Sequence, residues 1–383
     1  MIDSKLNNIK KNKDITTLIL VIVLLVAMGI LAISSCSSMV NINAPYDCLE
    51  KHLFNISLGF ICFVFAAFVI NYKSYQNKNL LFFTVTTLLL IIPIFFPEHK
   101  GAHRWIELKV FSFKPSELAK LVMVIIMADF IKRNKIYINT WEKNVFPIVY
   151  VAFFCPIILF LQKDLGSTAL IFVLWATMLF LAKIDTKRIL LIFAIAILGG
   201  LVAFVIQPYR RTRVITYFQH IFKSDNVELT NKATKKIDDD KYNSYIAFAA
   251  LGSGGLFGKG SVKSETKLKF LPEKHTDYIF CIIGEEFGLL RGTLFVVLLF
   301  FLFTITALSI NEKCSDDFGK YLSFGIILII TGQAIVNMGM TTGVLPAKGF
   351  PLPFISYGGS SMLLNSYMAG ILINIARNNN KQL

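Results

Sequence analysis

The sequence is poor in what a soluble enzyme is built from. Of its 383 residues only 16% are Asp, Glu, Lys or Arg, while 55% are hydrophobic. With a mean hydropathy of +0.62, that balance excludes an ordinary soluble domain and indicates a polytopic membrane protein. Cysteine is sparse and irregularly placed. Cys36, Cys48, Cys62, Cys155, Cys281 and Cys314 form no CxxC and no Cys/His metal spacing. Cys36 and Cys48 share one loop, where a disulfide could form on the extracytoplasmic side; the others read as small packing residues. There is no Ser-His-Asp triad, no Walker loop, and no internal repeat of the kind that marks an inverted-repeat transporter. Ile15–Ile33 lacks a small-residue cleavage site, so it reads as a span and not as a signal peptide. Acidic residues are also few, 24 against 39 Lys and Arg, for a net charge of +15. The positive charges are scattered among loops, which points to membrane lipids or an anionic lipid substrate and not to nucleic acid.

What is present is a series of apolar runs. They lie near Ile15–Ser35, Phe54–Asn71, Leu80–Phe96, Pro115–Ile131, Val145–Leu161, Leu165–Ala182, Arg188–Ile206, Gly292–Ile310, Tyr321–Thr341 and Phe354–Ala376. Each is long enough to cross about 30 Å of hydrocarbon at about 1.5 Å per residue. The expected fold is all-α, with about ten transmembrane helices. Residues 1–14 form a tail, 15–206 hold spans one to seven, 207–291 form a large extracytoplasmic loop, 292–376 hold spans eight to ten, and 377–383 form a second tail. With the N-terminus inside, the inner segments carry about seventeen Lys and Arg and the short outer ones about seven. Both termini are therefore expected in the cytoplasm.

Polar groups gather at the outer ends of the spans. The stretch LPEKHTDYIFCIIGEEFG, Leu271–Gly288, is the most conspicuous, because charges where a chain re-enters a membrane are costly unless they face water, a partner or a substrate. It carries Lys274, His275 and Asp277. FSFKPSELAKL, Phe111–Leu121, has helix-start chemistry at Pro115–Glu117, and Glu117 and Lys120 stand three residues apart; a cap with an intrahelical ion pair and a charged cavity wall are both open. Arg104 precedes it. In QKDLGS, Gln162–Ser167, Asp164 reads as an exposed turn residue or as part of a site. LGSGGLFGKG, Leu251–Gly260, reads as a tight turn or a phosphate loop. GVLPAKGFPLPFISYGGSS, Gly343–Ser361, brings Lys348 and Ser356 to the last span, and Asn337 lies in the span before it. Carboxylates mixed with cations suit an anionic amphiphile.

These five motifs, in this order on about ten spans, resemble the SEDS family (shape, elongation, division, sporulation) of bacterial peptidoglycan polymerases. The resemblance covers nearly the whole chain. TGVLPAKG and the IIGEE run are more similar to the division branch than to the elongation branch. The resemblance implies a lipid II glycosyltransferase in the cytoplasmic membrane at the division septum. It also implies a single-span class B penicillin-binding protein as transpeptidase partner, beside other division-complex membrane proteins. Asp277 falls on the family's essential Asp, Glu117 on its PSE glutamate, and Lys120 on the lysine that follows. The chain has Lys114 where Gln is common, Lys163 where Pro is common, and Ile246-Ala247 where Gln-Ser is common. An α-linked donor and a β-linked product imply inversion, with Asp277 as general base. Arg104, Lys120 and Lys348 are expected to neutralise the pyrophosphate, with Asp164, Lys274, His275 and Ser356 as further substrate contacts and Glu117 orienting Lys120. A divalent cation, Mg or Mn, could share the charge, but no dedicated cage is visible. The rival readings are a lipid II flippase, an elongation-type polymerase of the same family, and a non-catalytic division scaffold.

Overall fold

The computed structural model describes residues 2–37, 46–98, 102–108, 111–135, 153–185, 246–260, 276–345 and 349–378. Nearly all of the predicted span Arg188–Ile206 and residues 145–152 of Val145–Leu161 lie outside them, as do Lys274, His275 and Lys348. The architecture is a bundle of α-helices with one short hairpin. The helices are α1 (Ile2–Ser37), α2 (Asp47–Val64), α3 (Asn79–Ile91), α4 (Pro115–Asn134), α5 (Leu165–Leu181), α6 (Ile279–Gly288), α7 (Leu294–Glu312), α8 (Asp317–Thr341) and α9 (Gly359–Asn378). Strands β1 (Ile106–Leu108) and β2 (Phe111–Phe113) pair antiparallel, Ile106 opposite Phe113.

The ends of the helices follow from local chemistry. Pro115 opens α4 where its missing N–H loses nothing, with Glu117 in the first turn and Lys132 and Arg133 in the last. Asp164 caps α5 through the Ser167 N–H, and Asp316 caps α8 through that of Gly319. The runs were legible but several ends were not. The polar stretch before Ile15 continues as α1. The second span begins at Asp47, seven residues before the apolar run, with Asp47 and Glu50 favouring the helix start. The eighth begins at Ile279, inside the segment expected as loop: α6 passes through a π-helical turn, Leu289–Thr293, into α7. Cys36 and Cys48 are not joined by a disulfide.

Four of the helical stretches are long and apolar enough to cross a membrane by length and composition: Lys13–Ser37, Asp47–Val69, Ile279–Glu312 and Asp317–Thr341. Helix α1 packs along α7, α2 along α9, and α4 along both α3 and α8. At one end, which carries the helix-terminal Lys and Arg, ion pairs tie neighbours together: Lys132 to Asp316 (3.0 Å), Lys135 to Asp317 (2.8 Å) and Lys313 to Asp14, while within α4 Arg133 pairs with buried Asp129 (2.7 Å). The opposite end holds the loops with the polar motifs.

The Gly-rich stretch is neither a free turn nor an open nest of N–H groups. It folds against the break between α6 and α7. Lys259 and Gly260 donate their amides to the carbonyls of Glu285 and Glu286, and Leu289 and Leu290 donate back to Gly255 and Leu256. Gly258 has φ +86°, and a Cβ there would lie 2.1 Å from the Glu286 carbonyl oxygen. Gly258→Ala is therefore expected to destabilise the protein by at least ~2 kcal/mol through left-handed backbone strain and overpacking. Gly252, where an added Cβ meets nothing within 4 Å, is the silent control. Thermal unfolding of both variants in detergent checks the contrast.

Candidate active site

Asp277 sits in the turn that leads into α6, half-buried. Two adjacent carbonyls of this turn are fastened from two places, helix α8 and the segment before α9. Asn337, fully buried on α8, donates its Nδ2 to the Asp277 carbonyl (2.9 Å) and to the Phe350 carbonyl (2.6 Å). Ser356 donates to the Thr276 carbonyl (2.6 Å) and accepts from the Leu352 N–H (2.7 Å). The Asp277 turn and the segment Gly349–Ser356 are thus one unit. A Cβ on Gly349 would lie 2.9 Å from Asp277 Oδ2, so the glycine is what admits the carboxylate at this position.

Phe350 carries the unit to the next layer. The Lys120 ammonium lies 5.9 Å from its ring centre, and the ring packs where a Gly166 Cβ would be, 2.8 Å away. Lys120 is fully buried and bonds Glu117 at 2.6 Å, one turn earlier on α4. Gln333 of α8 donates to the same Glu117 oxygen at 3.0 Å. Sequence left open a cap or a cavity wall; the pair is an internal strut between α4 and α8.

Asp164 is not an exposed turn residue. It is buried and paired with Lys114 at 2.8 Å, and it accepts from both the N–H and the hydroxyl of Ser167. Lys114, one of the departures from the family's common residues, is therefore matched by a carboxylate. Its backbone N–H donates to Ser360, whose hydroxyl donates on to the Ser112 carbonyl. Arg104 reaches across the same turn. Its Nε and Nη2 donate to the carbonyls of Gln162 (3.1 Å) and Lys163 (2.7 Å), neutral acceptors that leave its charge standing. Ile246 and Ala247, another departure, are buried, Ala247 against Ala250 and Cys281.

The turn residues have shifted titrations. Burial would raise the Asp164 carboxyl, but Lys114 and then Arg104 override it and hold it well below the usual carboxylate range. For Lys114, burial would lower the ammonium, and the Asp164 and Glu117 carboxylates override that and raise it. A depressed Asp stabilises fully above its unfolded value of about 3.9 and is lost as pH falls through the folded value. A raised Lys stabilises fully below about 10.4 and is lost as pH rises through the folded one. The pair's contribution should be flat between roughly pH 4.5 and 10. Lys114→Met should lower stability across that plateau and flatten the part of the acid limb that Asp164 supplies, as a pH series of unfolding midpoints would record.

The four motifs that are separate in sequence thus converge at one end of the bundle. Asn337 is the residue whose role sequence did not give. Its signal was an amide in an apolar run, which said buried but could not say that it grips the Asp277 turn. Among the described residues no three His, Cys, Asp or Glu side chains gather as a metal cage.

Residues 15–381 match the sequence profile of the cell cycle protein family that groups FtsW, RodA and SpoVE. A probable peptidoglycan glycosyltransferase FtsW from Geobacter sp. strain M18 is 31% identical over 361 residues, covering 92% of this chain and 94% of that protein. Its counterpart from Coxiella burnetii strain RSA 493 is 32% identical over 365 residues, covering 92% and 93%. Among solved structures, a chain of a peptidoglycan synthase complex, determined for the structural coordination of polymerization and crosslinking, superposes with a TM-score of 0.76 at 22% identity, covering 94% of this chain and 97% of that one. The rod shape determining protein RodA of Thermus thermophilus gives 0.67 at 21%, covering 94% and 96%.

Proposed function

The chain belongs to the FtsW, RodA and SpoVE family of cell cycle proteins, and from that premise we propose that it is a division-type peptidoglycan glycosyltransferase that polymerises lipid II at the outer face of the cytoplasmic membrane. The observation that carries this reading is the fastening of the Asp277 turn by Asn337 of α8 and Ser356 of the Gly349–Ser356 segment, whose Phe350 in turn rests against Lys120 of α4.

The end with Lys132, Lys135 and Lys313 faces the cytoplasm on the positive-inside argument, which puts Asp277 at the outer headgroup level. An acceptor sugar hydroxyl attacks the anomeric carbon of the donor; the new C–O bond forms as the bond to pyrophosphate breaks, with inversion. Asp277 takes the hydroxyl proton, and the leaving pyrophosphate keeps the electron pair. Among the described cations, Lys114 and Lys120 are already matched by Asp164 and Glu117. Arg104 makes its side-chain hydrogen bonds to carbonyls, and its charge, which also helps hold Asp164 ionised, is the candidate nearest this turn to meet the pyrophosphate. Lys274, His275 and Lys348 are the flanking candidates. A divalent cation carried on the pyrophosphate would share Arg104's role, and sensitivity to chelator tests that. Glu117 orients Lys120, and the pair braces the wall on which Phe350 rests. Cross-linking falls to a class B penicillin-binding protein and other division-complex partners.

The test is reconstitution with the cognate class B penicillin-binding protein and lipid II. Glycan polymer from the native complex supports the reading. Scrambling of labelled lipid II in liposomes without polymer would replace it with a flippase. Asn337→Ala in the same assay leaves two buried carbonyls without a donor and loosens the Asp277 turn. The expected result is a fall in turnover of up to about 10²-fold with little change in the half-saturating lipid II concentration. Comparable loss through KM would make Asn337 a substrate contact instead.

A further inference from the structure

We propose that the Gly-rich turn Leu251–Gly260 is inserted into the bilayer leaflet at the Asp277 end, with Leu256 and Phe257 among the lipid acyl chains beside α7. Both are large, apolar and exposed, at 56% and 61%. They do not dangle, because backbone hydrogen bonds fix the turn to Glu285–Leu290.

The depth follows from α1 used as a ruler. Asp14, at its basic end, pairs with Lys313 just past the end of α7. Twenty-one residues on, Ser35 donates to Glu286 Oε1 at 3.0 Å. At about 1.5 Å per residue the separation is about 31 Å, one hydrocarbon thickness. Glu286 and the turn bonded to it therefore stand at the edge of the hydrocarbon. Immediately below, Leu294, Val297, Leu298, Phe301 and Ile305 form an exposed stripe down α7 at helical spacing. Leu289 and Leu290, also exposed, join that stripe to Leu256 and Phe257, with the exposed Arg291 between them. A surface continuous with a lipid-facing stripe and level with its upper edge is covered by the same lipid. The guanidinium of Arg291 lies 5.4 Å from the centre of the Phe257 ring, a cation–π contact that lets an interfacial cation rest on an aromatic while its charge reaches the headgroups. This inference does not depend on the chemistry assigned to Asp277.

The experiment places a tryptophan at Phe257, and separately at Leu256, in the full chain reconstituted in phosphatidylcholine vesicles. The signal is the difference from the parent protein, which has three tryptophans of its own. With acyl chains brominated near the headgroup, the added fluorescence should be blue-shifted, largely lost to the bromines, and unaffected by iodide in the water. An added tryptophan at both positions that iodide quenches and brominated chains do not would overturn the proposal. Protection from iodide appearing only on addition of a partner protein would likewise overturn it, in favour of a protein-docking surface.

Discussion

Asp277→Asn should cut glycan polymerisation by about 10²–10⁴-fold, the range a general base contributes, while the protein folds and inserts as before. The amide is nearly isosteric with the carboxylate, so it fits beside Gly349 as Asp277 does. The grips on the turn use backbone carbonyls, at Asp277 from Asn337 and at Thr276 from Ser356, and the substitution touches neither. What is lost is the ability to accept a proton at neutral pH. A polymerase therefore loses turnover with its unfolding midpoint unchanged. A scaffold would tolerate the change. A flippase would keep moving lipid. Near-native polymer from the purified Asn variant would remove Asp277 from the mechanism.

Lys120→Met should destabilise the protein by about 3–5 kcal/mol, because it leaves a buried carboxylate without its cation. Glu117 is almost wholly inaccessible, and its Oε1 has no partner among the described residues, so Gln333 alone would remain on the other oxygen. The informative comparison is the double variant Glu117→Gln with Lys120→Met. Removing both charges leaves nothing uncompensated, and replacing a whole buried pair is often close to neutral. Stability should thus recover in the double variant, measured as unfolding midpoints in detergent. Polymerisation should stay depressed in both, since Lys120 supports Phe350 and through it the segment at Asp277. A double variant no more stable than the single one would show that the strut is not what the Lys120 charge maintains.

Much of this could be read from the chain. Apolar runs gave the spans because hydropathy is a local property, summed over about twenty neighbours. The motifs gave Asp277, Glu117 and Asp164 as the polar groups worth following. Sequence could not give partnerships across long separations. Lys114 with Asp164, Asn337 with the Asp277 carbonyl, and the Gly-rich turn with Glu285 and Glu286 are tertiary facts. The helix ends at Asp47 and Ile279 were missed for a related reason. At Asp47 a polar first turn looks like loop until a neighbouring helix accepts it, and at Ile279 the short apolar turn is cut off from the next run by Glu285, Glu286 and Arg291. Glu286 is an example, an acid in an apolar helix that Ser35 of α1 receives.

Helix α4 is not among the stretches apolar enough to cross a membrane alone, and it carries Glu117, Lys120, Asp129, Lys132 and Arg133 within twenty residues. Glu117 has its amide donor, Gln333, on α8, and α8 starts 183 residues after α4 ends. At about 5–20 residues per second that is a delay of about 10–40 s during synthesis. Through that interval the nascent α4 holds Glu117 without Gln333 and Lys132 without Asp316. Slowing translation between α4 and α8 should therefore raise the fraction of chains degraded before they assemble.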